Sequence, residues 1–290
     1  MRPGHAVADL GTGSSILALA AARAGARVVY AVERGPVAHV ARAVVRDNGL
    51  AARVRVLRSD ARSTELPERV DVLVSECFGP LAVTGTMVSV LTEASARWLA
   101  PSGVTVPARV RVLLAPLRSA SIARALRAWE RPRYGFDLRA AARWTAHNAY
   151  NAVLDPACLC AEPACVFELD PRAQTFDGGF VSTCEFTVDR AGPVHALGGW
   201  FEAELAKGVV LRTGPGEPTT VWNQCVLPLR APLRVRRGER LTVRFEARPA
   251  PGAPHVTDLA WSVTDPRGRT LAHDTRWSDP DACPDGPPDA

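Results

Sequence analysis

The chain has 290 residues, enough for one large domain or two ordinary domains that each bury a core. Its seven cysteines are odd in number and lie mostly in apolar runs, which favours reduced thiols in the cytoplasm over a secreted disulfide framework. The net charge is +5, but the chain lacks a basic block with interleaved aromatic residues and an apolar run long enough to span a bilayer, so we expect neither nucleic-acid nor membrane binding.

The first hundred residues alternate strand-like and helix-like stretches, the pattern of a parallel sheet with crossover helices. Strands are predicted at 6–10, 27–33, 54–58 and 70–75, and helices at about 15–24, 36–48 and 87–99. The second helix shows one apolar face at helical spacing, made of Val37, Val40, Ala41, Val44 and Val45. Residues 100–103 (Ala-Pro-Ser-Gly) predict a turn that closes the third helix.

From Val104 onward the pattern changes to segments that alternate apolar and polar residues, separated by Gly and Pro turns. This half is predicted to be mostly antiparallel β-structure, with clear segments at 181–189, 194–205, 240–247 and 259–265. A helical stretch at 119–130 and an irregular segment at 131–166 precede them. Three cysteines of that segment, Cys158, Cys160 and Cys165, lack an obvious fourth ligand, so no metal site is predicted. Residues 279–290 are predicted to be a disordered tail.

The turn between the first strand and the first helix has the composition of a nucleotide-type turn. Asp9-Leu10-Gly11-Thr12-Gly13 lets a ligand lie against bare backbone at a helix N-terminus. A dinucleotide fingerprint needs a third glycine where this chain has Ile16, which weakens the case for a pyrophosphate. The acid before the turn, Asp9, suits a cofactor that presents a cationic amino group.

Further residues at strand ends complete the predicted pocket. Glu33 ends the second strand and is placed to accept both ribose hydroxyls, and Asp60-Ala61 follows the third strand, where an adenine edge would lie. These points describe a pocket for S-adenosylmethionine, with seven cofactor-binding residues: Asp9, Gly11, Thr12, Gly13, Glu33, Asp60 and Ala61. The alternative is that the glycines only make a tight turn and the acids are solvated strand ends.

Several motifs, in order along the chain, resemble those of protein arginine methyltransferases. Residues 75–79 (Ser-Glu-Cys-Phe-Gly) resemble that family's Ser-Glu-Trp-Met-Gly loop, and 98–103 its Trp-Leu-x-Pro-x-Gly turn. Residues 129–138 resemble the entry to its dimerisation arm, 194–205 a barrel strand pair, and 220–224 its Thr-His-Trp-x-Gln loop.

The resemblance implies an α/β plus all-β fold of two domains. A Rossmann-like class I methyltransferase domain is expected at 1–106, followed by a β-barrel domain at 107–278. A helical dimerisation arm is expected as an insertion at about 131–166, and the arm implies a homodimer.

The resemblance also implies site residues, and here the chain departs from the family. Two glutamates of the family grip a guanidinium, whose planar fork of donors suits paired carboxylates. Glu76 matches the first and is the implied catalytic residue, but the position of the second is Gly85. Phe78, Gly85 and Trp222 are the implied substrate-binding positions. Glu76 could instead cap the following turn, and Trp222 could be a barrel core residue.

Two more departures bear on activity. Val221 stands where the family has the histidine of its Thr-His-Trp loop, and the chain begins five residues before its first strand, whereas the family places cofactor-covering helices upstream. We expect either a start codon further upstream or a lid supplied by a partner chain, which would make a heteromer. The sequence predicts an S-adenosylmethionine-dependent N-methyltransferase acting on a guanidino, amine or imidazole nitrogen of a peptide, protein or metabolite. The alternative is a catalytically inactive pseudomethyltransferase that acts as a partner or scaffold.

Overall fold

A computed structural model describes residues 2–83, 87–132, 134–173 and 179–278. The predicted second acid position, Gly85, and the predicted tail at 279–290 therefore lie outside the described residues. Within the described residues, no helix is long and apolar enough to cross a membrane.

The first hundred residues form a parallel sheet with helices, as predicted. Its strands are β1 (Ala6–Leu10), β2 (Val28–Glu33), β3 (Val54–Arg58), β4 (Val70–Ser75) and β5 (Leu99–Val106), in the order β3-β2-β1-β4-β5. The helices are α1 (Ile16–Arg23), α2 (Ala38–Asp47) and α3 (Met87–Trp98). The chain leaves β1 for one side of the sheet and returns at β4 on the other, so β1 and β4 form the switch point where ligands of open α/β sheets bind.

Alternate residues of β1 enter two apolar layers, which explains why this strand is apolar except at Asp9. Ala6 and Leu10 pack in one layer with Trp98 of α3, and Val7 packs in the other with Ala18 of α1. All five residues of β1 are buried, as expected for a parallel strand covered on both faces. The sheet therefore holds the end of β1, and the turn that follows it, in a fixed position.

The predicted apolar face of α2 was wrong for two of its members. Val37 and Val40 are 36% and 52% exposed, whereas Ala38, Ala41 and Val45 are buried. The face that meets the sheet is thus rotated from the one predicted, because small alanines allow close approach to the sheet while the valines remain outside.

The predicted turn at 100–103 lies within strand β5 rather than between elements. Pairing with β4 moves from Val70–Leu99 directly to Val72–Val104, so the residues between Leu99 and Val104 leave the regular ladder. Pro and Gly in this stretch therefore mark an irregularity inside a strand.

The second half is antiparallel, as predicted. A six-stranded sheet has the order β7-β12-β10-β6-β8 with β11 paired to β10, and a four-stranded sheet has the order β15-β14-β13-β9. The strands of the larger sheet are β6 (Arg109–Leu117), β7 (Tyr150–Ala152), β8 (Ala164–Leu169), β10 (Gly192–Ala206), β11 (Val209–Arg212) and β12 (Gln224–Val235). Those of the smaller are β9 (Phe180–Thr187), β13 (Arg240–Ala250), β14 (Ala253–Thr264) and β15 (Thr270–Asp274). Phe201 and Leu227 of the first sheet share one core with Phe245 and Trp261 of the second.

A helical segment interrupts the antiparallel domain. It contains α4 (Ala120–Leu126), a 3₁₀ turn at Arg127–Trp129 and α5 (Arg139–Thr145). Ser119 caps α4 by accepting a hydrogen bond from the Ile122 amide at 3.4 Å. The prediction of an irregular segment at 131–166 was wrong in part, because α5 and β7 lie inside it and β8 begins inside it. The short Ala-rich sequence of α5 gives little apolar periodicity from which a helix could be predicted.

Candidate functional site

The turn after β1 requires glycine for both conformation and space. Gly11 and Gly13 have φ of 72° and 53°, in the left-handed region that favours glycine. The amides of Gly11 and Thr12 both donate to the carbonyl of Val32, at 2.9 and 3.1 Å, which binds the turn to the end of β2. A Cβ atom at Gly11 would overlap Sγ of Cys77. The turn is therefore packed directly against the loop that follows β4.

Asp9 is a buried carboxylate with one oxygen left without a regular partner. Its Oδ2 accepts a 2.5 Å hydrogen bond from the Thr12 hydroxyl, and Oδ1 makes no hydrogen bond of ordinary geometry with any described residue. Burial raises the pKa of Asp9 to about 6, the Thr12 hydroxyl and the Ala18 backbone lower it, and the charge of Glu33 raises it. Such a group is suited to a cationic donor.

The carboxylate of Glu33 is held by the backbone on both oxygens. It accepts hydrogen bonds from the amide of Gly13 at 3.2 Å and from the amide of Gly35 at 2.7 Å. Each carboxylate oxygen has a second lone pair, so both remain able to accept a further hydrogen bond. A vicinal diol, such as that of a ribose, matches this arrangement.

A cavity of about 250 Å³ lies beside the turn. Four predicted cofactor residues line it: Gly11, Glu33, Asp60 and Ala61. The other three, Asp9 in β1 and Thr12 and Gly13 in the turn, are not among the lining residues. Buried Ala61 contributes an apolar part of the lining, and the exposed Asp60 accepts a hydrogen bond from the amide of Arg62 at 2.8 Å.

Several lining residues were missed by the sequence analysis, among them Arg34, Ser59, Arg62, Cys77 and Val90. Arg34 and Ser59 directly adjoin predicted residues and could have been found from that adjacency. Val90 could not, because it reaches the cavity from α3, which is distant in sequence. The residues of the site fit S-adenosylmethionine. Asp9 offers an acceptor without a regular partner for an ammonium group, Glu33 offers two acceptors for a diol, and Ala61 and Val90 offer an apolar surface.

Glu76 directly follows β4 at the same edge of the sheet, next to the turn. Its side chain is exposed and makes no hydrogen bond or ion pair with any described residue, and partial desolvation raises its pKa. The pKa of the Cys77 thiol is raised by burial and also by the charges of Glu76, Asp9 and Glu33, while a hydrogen bond with Ser75 lowers it. Cys77, the residue after Glu76, lines the cavity together with Gly11 and Glu33, whereas Glu76 itself is not among the lining residues.

Phe78 and Trp222 connect this loop to the antiparallel domain. The indole N–H of Trp222 donates to the carbonyl of Phe78 at 2.9 Å. The ring of Phe201 lies 5.5 Å from that of Phe78 and packs edge-on against Trp222 at 5.4 Å. These contacts favour the interpretation of Trp222 as a core residue over its interpretation as a free substrate wall.

The next residues of the loop are buried in the antiparallel core. Leu81, Ala82 and Val83 are 0–1% exposed, and Thr257 of β14 donates a 2.8 Å hydrogen bond to the carbonyl of Val83. The replaced histidine position, Val221, is 86% exposed beside Trp222. The described part of the loop is thus held at Cys77 and at Leu81–Val83, while the side chains of Glu76 and Val221 are exposed.

Two family models match the chain. Residues 108–265 match the arginine methyltransferase oligomerization subdomain, and residues 1–106 match ribosomal protein L11 methyltransferase (PrmA). Protein arginine N-methyltransferase 1 of Schizosaccharomyces pombe is 30% identical over 264 residues, which cover 89% of this chain and 77% of that protein. Probable histone-arginine methyltransferases 1.3 and 1.4 of Arabidopsis thaliana are 32% and 34% identical over 90% and 83% of this chain, and the chain spans about half their length, 51% and 48%.

Solved structures give the same result. The Trypanosoma brucei PRMT1 enzyme-prozyme heterotetrameric complex with AdoHcy matches with a TM-score of 0.87 and 25% identity, over 94% of this chain and 89% of that one. Protein arginine methyltransferase 10 of Arabidopsis thaliana, in an open conformation, matches with a TM-score of 0.80 and 27% identity, over 94% of this chain and 90% of that one. With its two domains, its glycine turn and these similarities in sequence and structure, this chain belongs to the protein arginine methyltransferase family.

Proposed function

We propose that this protein is an S-adenosylmethionine-dependent N-methyltransferase. The observation that carries the proposal is the buried Asp9 carboxylate, whose Oδ1 lacks a regular partner at a glycine turn that opens a helix. Glu33 lines the adjoining cavity, and Glu76 directly precedes Cys77, which lines the same cavity. Family membership and the bound AdoHcy named for the Trypanosoma brucei complex support this proposal.

In this proposal the seven predicted residues contact different parts of the cofactor. Asp9 accepts the amino group, and Gly11, Thr12 and Gly13 let the ligand lie against the backbone. Glu33 accepts the ribose hydroxyls, and Asp60 and Ala61 face the adenine. When bound, the cofactor supplies a methyl group on a positively charged sulfur, and the carboxylates of Asp9, Glu33 and Glu76 provide the negative surroundings that such a cation requires.

The proposed catalytic residue is Glu76. Its carboxylate accepts a hydrogen bond from an N–H of the methyl acceptor and so orients the lone pair of that nitrogen. Alignment of the lone pair with the methyl group is the main contribution that a protein can make to methyl transfer. Phe78 and Trp222 keep the loop in place through their mutual hydrogen bond. Because one carboxylate cannot hold both edges of a guanidinium, we include amine and imidazole nitrogens of peptides, proteins or metabolites among the acceptors.

The second candidate is a catalytically inactive partner or scaffold. It is favoured by Gly85 and Val221, which stand where the family has an acid and a histidine. The similarity to an enzyme-prozyme heterotetrameric complex is also consistent with it. For either candidate we propose association through the subdomain matched at 108–265, as a homodimer or as a heteromer with a partner that covers the cofactor. The reduced-thiol prediction from the cysteines supports a cytoplasmic location.

Calorimetric titration with S-adenosylmethionine and S-adenosylhomocysteine tests the proposal. We expect binding with a Kd on the order of micromolar, a loss of about 10- to 100-fold for Glu33→Ala, and no change for Glu162→Ala, an exposed acid outside the cavity. No binding by the full chain would contradict the enzyme proposal.

Mass spectrometry of arginine, lysine and histidine peptides after incubation with the cofactor then identifies the acceptor class. Restored activity on arginine peptides in Gly85→Glu would show that the second acid is the missing element. Binding without methylation of any acceptor, in both the native protein and Gly85→Glu, would favour the inactive partner.

A further inference from the structure

A second cavity, of about 390 Å³, lies under the helical segment of the antiparallel domain. Its walls come from α4 and the 3₁₀ turn, from the end of α5, and from β10 and β12. The cavity is thus lined by separate parts of one chain and is partly open to solvent, and none of its lining residues belongs to the proposed methyl-transfer site.

The lining of this cavity carries uncompensated positive charge. Arg127 and Arg230 line it, and neither guanidinium makes a hydrogen bond or ion pair within the described part of the chain. The acid among the lining residues is Glu130, which is likewise without an ion pair to any described residue. Two guanidinium groups against one carboxylate leave a net charge of +1 on the lining.

The histidine in the same wall is a neutral donor. Nδ1 of His195 accepts the amide N–H of Ser119 at 3.1 Å, so the ring proton of the neutral form lies on Nε2. Burial lowers the pKa of His195, and the charges of Arg127 and Arg118 lower it further. The charge of Arg230 acts in the same direction on His147, whose pKa is lowered chiefly by burial to about 4. Both histidines are therefore neutral at neutral pH, and the positive charge of the lining comes from the arginines.

The remaining lining is largely apolar, with Leu126 on the helical side and Leu229 and Pro232 on the sheet side. A site with an apolar surface and a few convergent charged donors is typical of small-molecule pockets. Guanidinium groups bind the planar oxygens of phosphate and carboxylate groups in paired hydrogen bonds. We propose that this cavity binds a small organic anion, with its phosphate or carboxylate group held by Arg127 and Arg230 and its apolar body against Leu126 and Leu229.

Calorimetry with phenyl phosphate and with benzoate tests this proposal and distinguishes the two head groups. We expect the full chain to bind at least one of them with a Kd on the order of 0.1 to 1 mM, and to bind benzyl alcohol, which is neutral, at least tenfold more weakly. Arg127→Ala and Arg230→Ala should each weaken binding about tenfold, and the double variant should abolish it. Arg237→Ala removes an exposed arginine from the turn between β12 and β13 and should leave binding unchanged.

Circular dichroism checks that each variant is folded, and the Arg127→Lys/Arg230→Lys variant keeps the charge while it removes the planar forks, so it should retain only part of the affinity. The proposal is overturned if neither anion binds, if benzyl alcohol binds equally well, or if the double alanine variant binds as the native protein does. A sedimentation experiment gives a further way to overturn it. The proposal fails if neither anion binds and the double alanine variant no longer self-associates as the native protein does. In that case an acidic side chain of a second copy fills the cavity.

Discussion

The two sides of the proposed methyl-transfer site are built very differently. The donor side consists of Asp9, the turn after β1 and Glu33. Here the carboxylate of Asp9 is buried, and Glu33 is hydrogen-bonded to two backbone amides. On the acceptor side, Glu76 and Val221 are exposed, and Glu76 has no polar partner among the described residues. The donor side is preorganised by the fold, whereas the acceptor side is open.

Because of this difference, Asp9 and Glu76 do not support a function equally well. A buried carboxylate with an oxygen that lacks a regular partner costs stability, so the presence of Asp9 in a strand otherwise apolar supports a ligand at this position. An exposed glutamate costs almost nothing to keep, so the presence of Glu76 is weaker support for catalysis. Experiments that disturb each side separately can test whether the contrast is functional.

The largest effect is expected from Gly11→Ala, which disrupts the donor side. The new Cβ overlaps Sγ of Cys77, and the positive φ is unfavourable for alanine, so we expect cofactor binding to fall more than 100-fold and the free energy of unfolding to fall by about 3 kcal/mol. Calorimetry and urea denaturation measure the two quantities.

Gly49→Ala is the matched control for this variant. Gly49 has a similar φ of +70° but open space around its Cβ position, so only the backbone cost of about 1 kcal/mol is expected. Adding Cys77→Ala to Gly11→Ala should restore part of the binding. If both glycine variants bind the cofactor equally well, the close packing of the turn against the loop is not needed for binding.

The next largest effect is expected from Glu76→Gln, which disrupts the acceptor side alone. Loss of the charge that orients the acceptor should reduce methyl transfer by about 100-fold, while cofactor affinity stays within about twofold of the native value. Single-turnover kinetics and calorimetry measure the two effects. A variant that transfers methyl groups at the native rate would remove Glu76 from the mechanism.

Asp9→Asn should separate stability from binding on the donor side. The pKa of Asp9 is about 6 in the folded protein against an ordinary value of 3.8, so the folded state binds the proton more tightly and stability falls as pH rises from about 4 to 6. Asparagine removes this cost, and we expect the ligand-free variant to be more stable at pH 7 by on the order of 1 to 3 kcal/mol.

The same variant should bind the cofactor about 10- to 100-fold more weakly at pH 7. For the native protein, affinity should fall as pH decreases through about 6, because protonated Asp9 no longer attracts the ammonium group. Calorimetry between pH 5 and 8 measures this dependence, which Asp9→Asn should lack. A variant that loses stability and keeps its affinity would contradict the role of Asp9.

The smallest effect is expected from Trp222→Phe, which tests the connection between the loop and the antiparallel domain. The variant keeps most of the packing but removes the hydrogen bond to the Phe78 carbonyl, so the free energy of unfolding should fall by about 1 kcal/mol. Cofactor affinity should be unchanged and methyl transfer only slightly slower. Unchanged stability would mean that this hydrogen bond does not hold the loop.

The donor side could be predicted from sequence because its residues are close together along the chain or stand at strand ends. Asp9, the glycines and Glu33 follow from one strand-turn-helix unit and the next strand. The packing of the acceptor side could not be predicted in this way. Nothing local indicates that the Trp222 indole bonds to Phe78, 144 residues away. On the donor side the same holds for Val90, which reaches the cavity from α3.

The fold shows the same limit. Long strands with period-two alternation, such as β10, were predicted close to their observed bounds. The error at α2 arose because alanine and valine are both apolar, and only packing decides which of them faces the sheet. The helix α5 and the strand β7 are short, so their formation depends on partners distant in sequence rather than on local pattern.

The burial of Leu81–Val83 in the antiparallel core has a consequence for how the chain could be recombined with its relatives. The family models divide the chain near residue 107, yet the segment directly after β4 precedes that boundary in sequence and packs beyond it. A chimera with a relative's first domain, joined near residue 107, would place that relative's residues at 81–83 against the antiparallel core of this chain. The joint that preserves the position of Glu76 exchanges residues 81–83 together with the second domain.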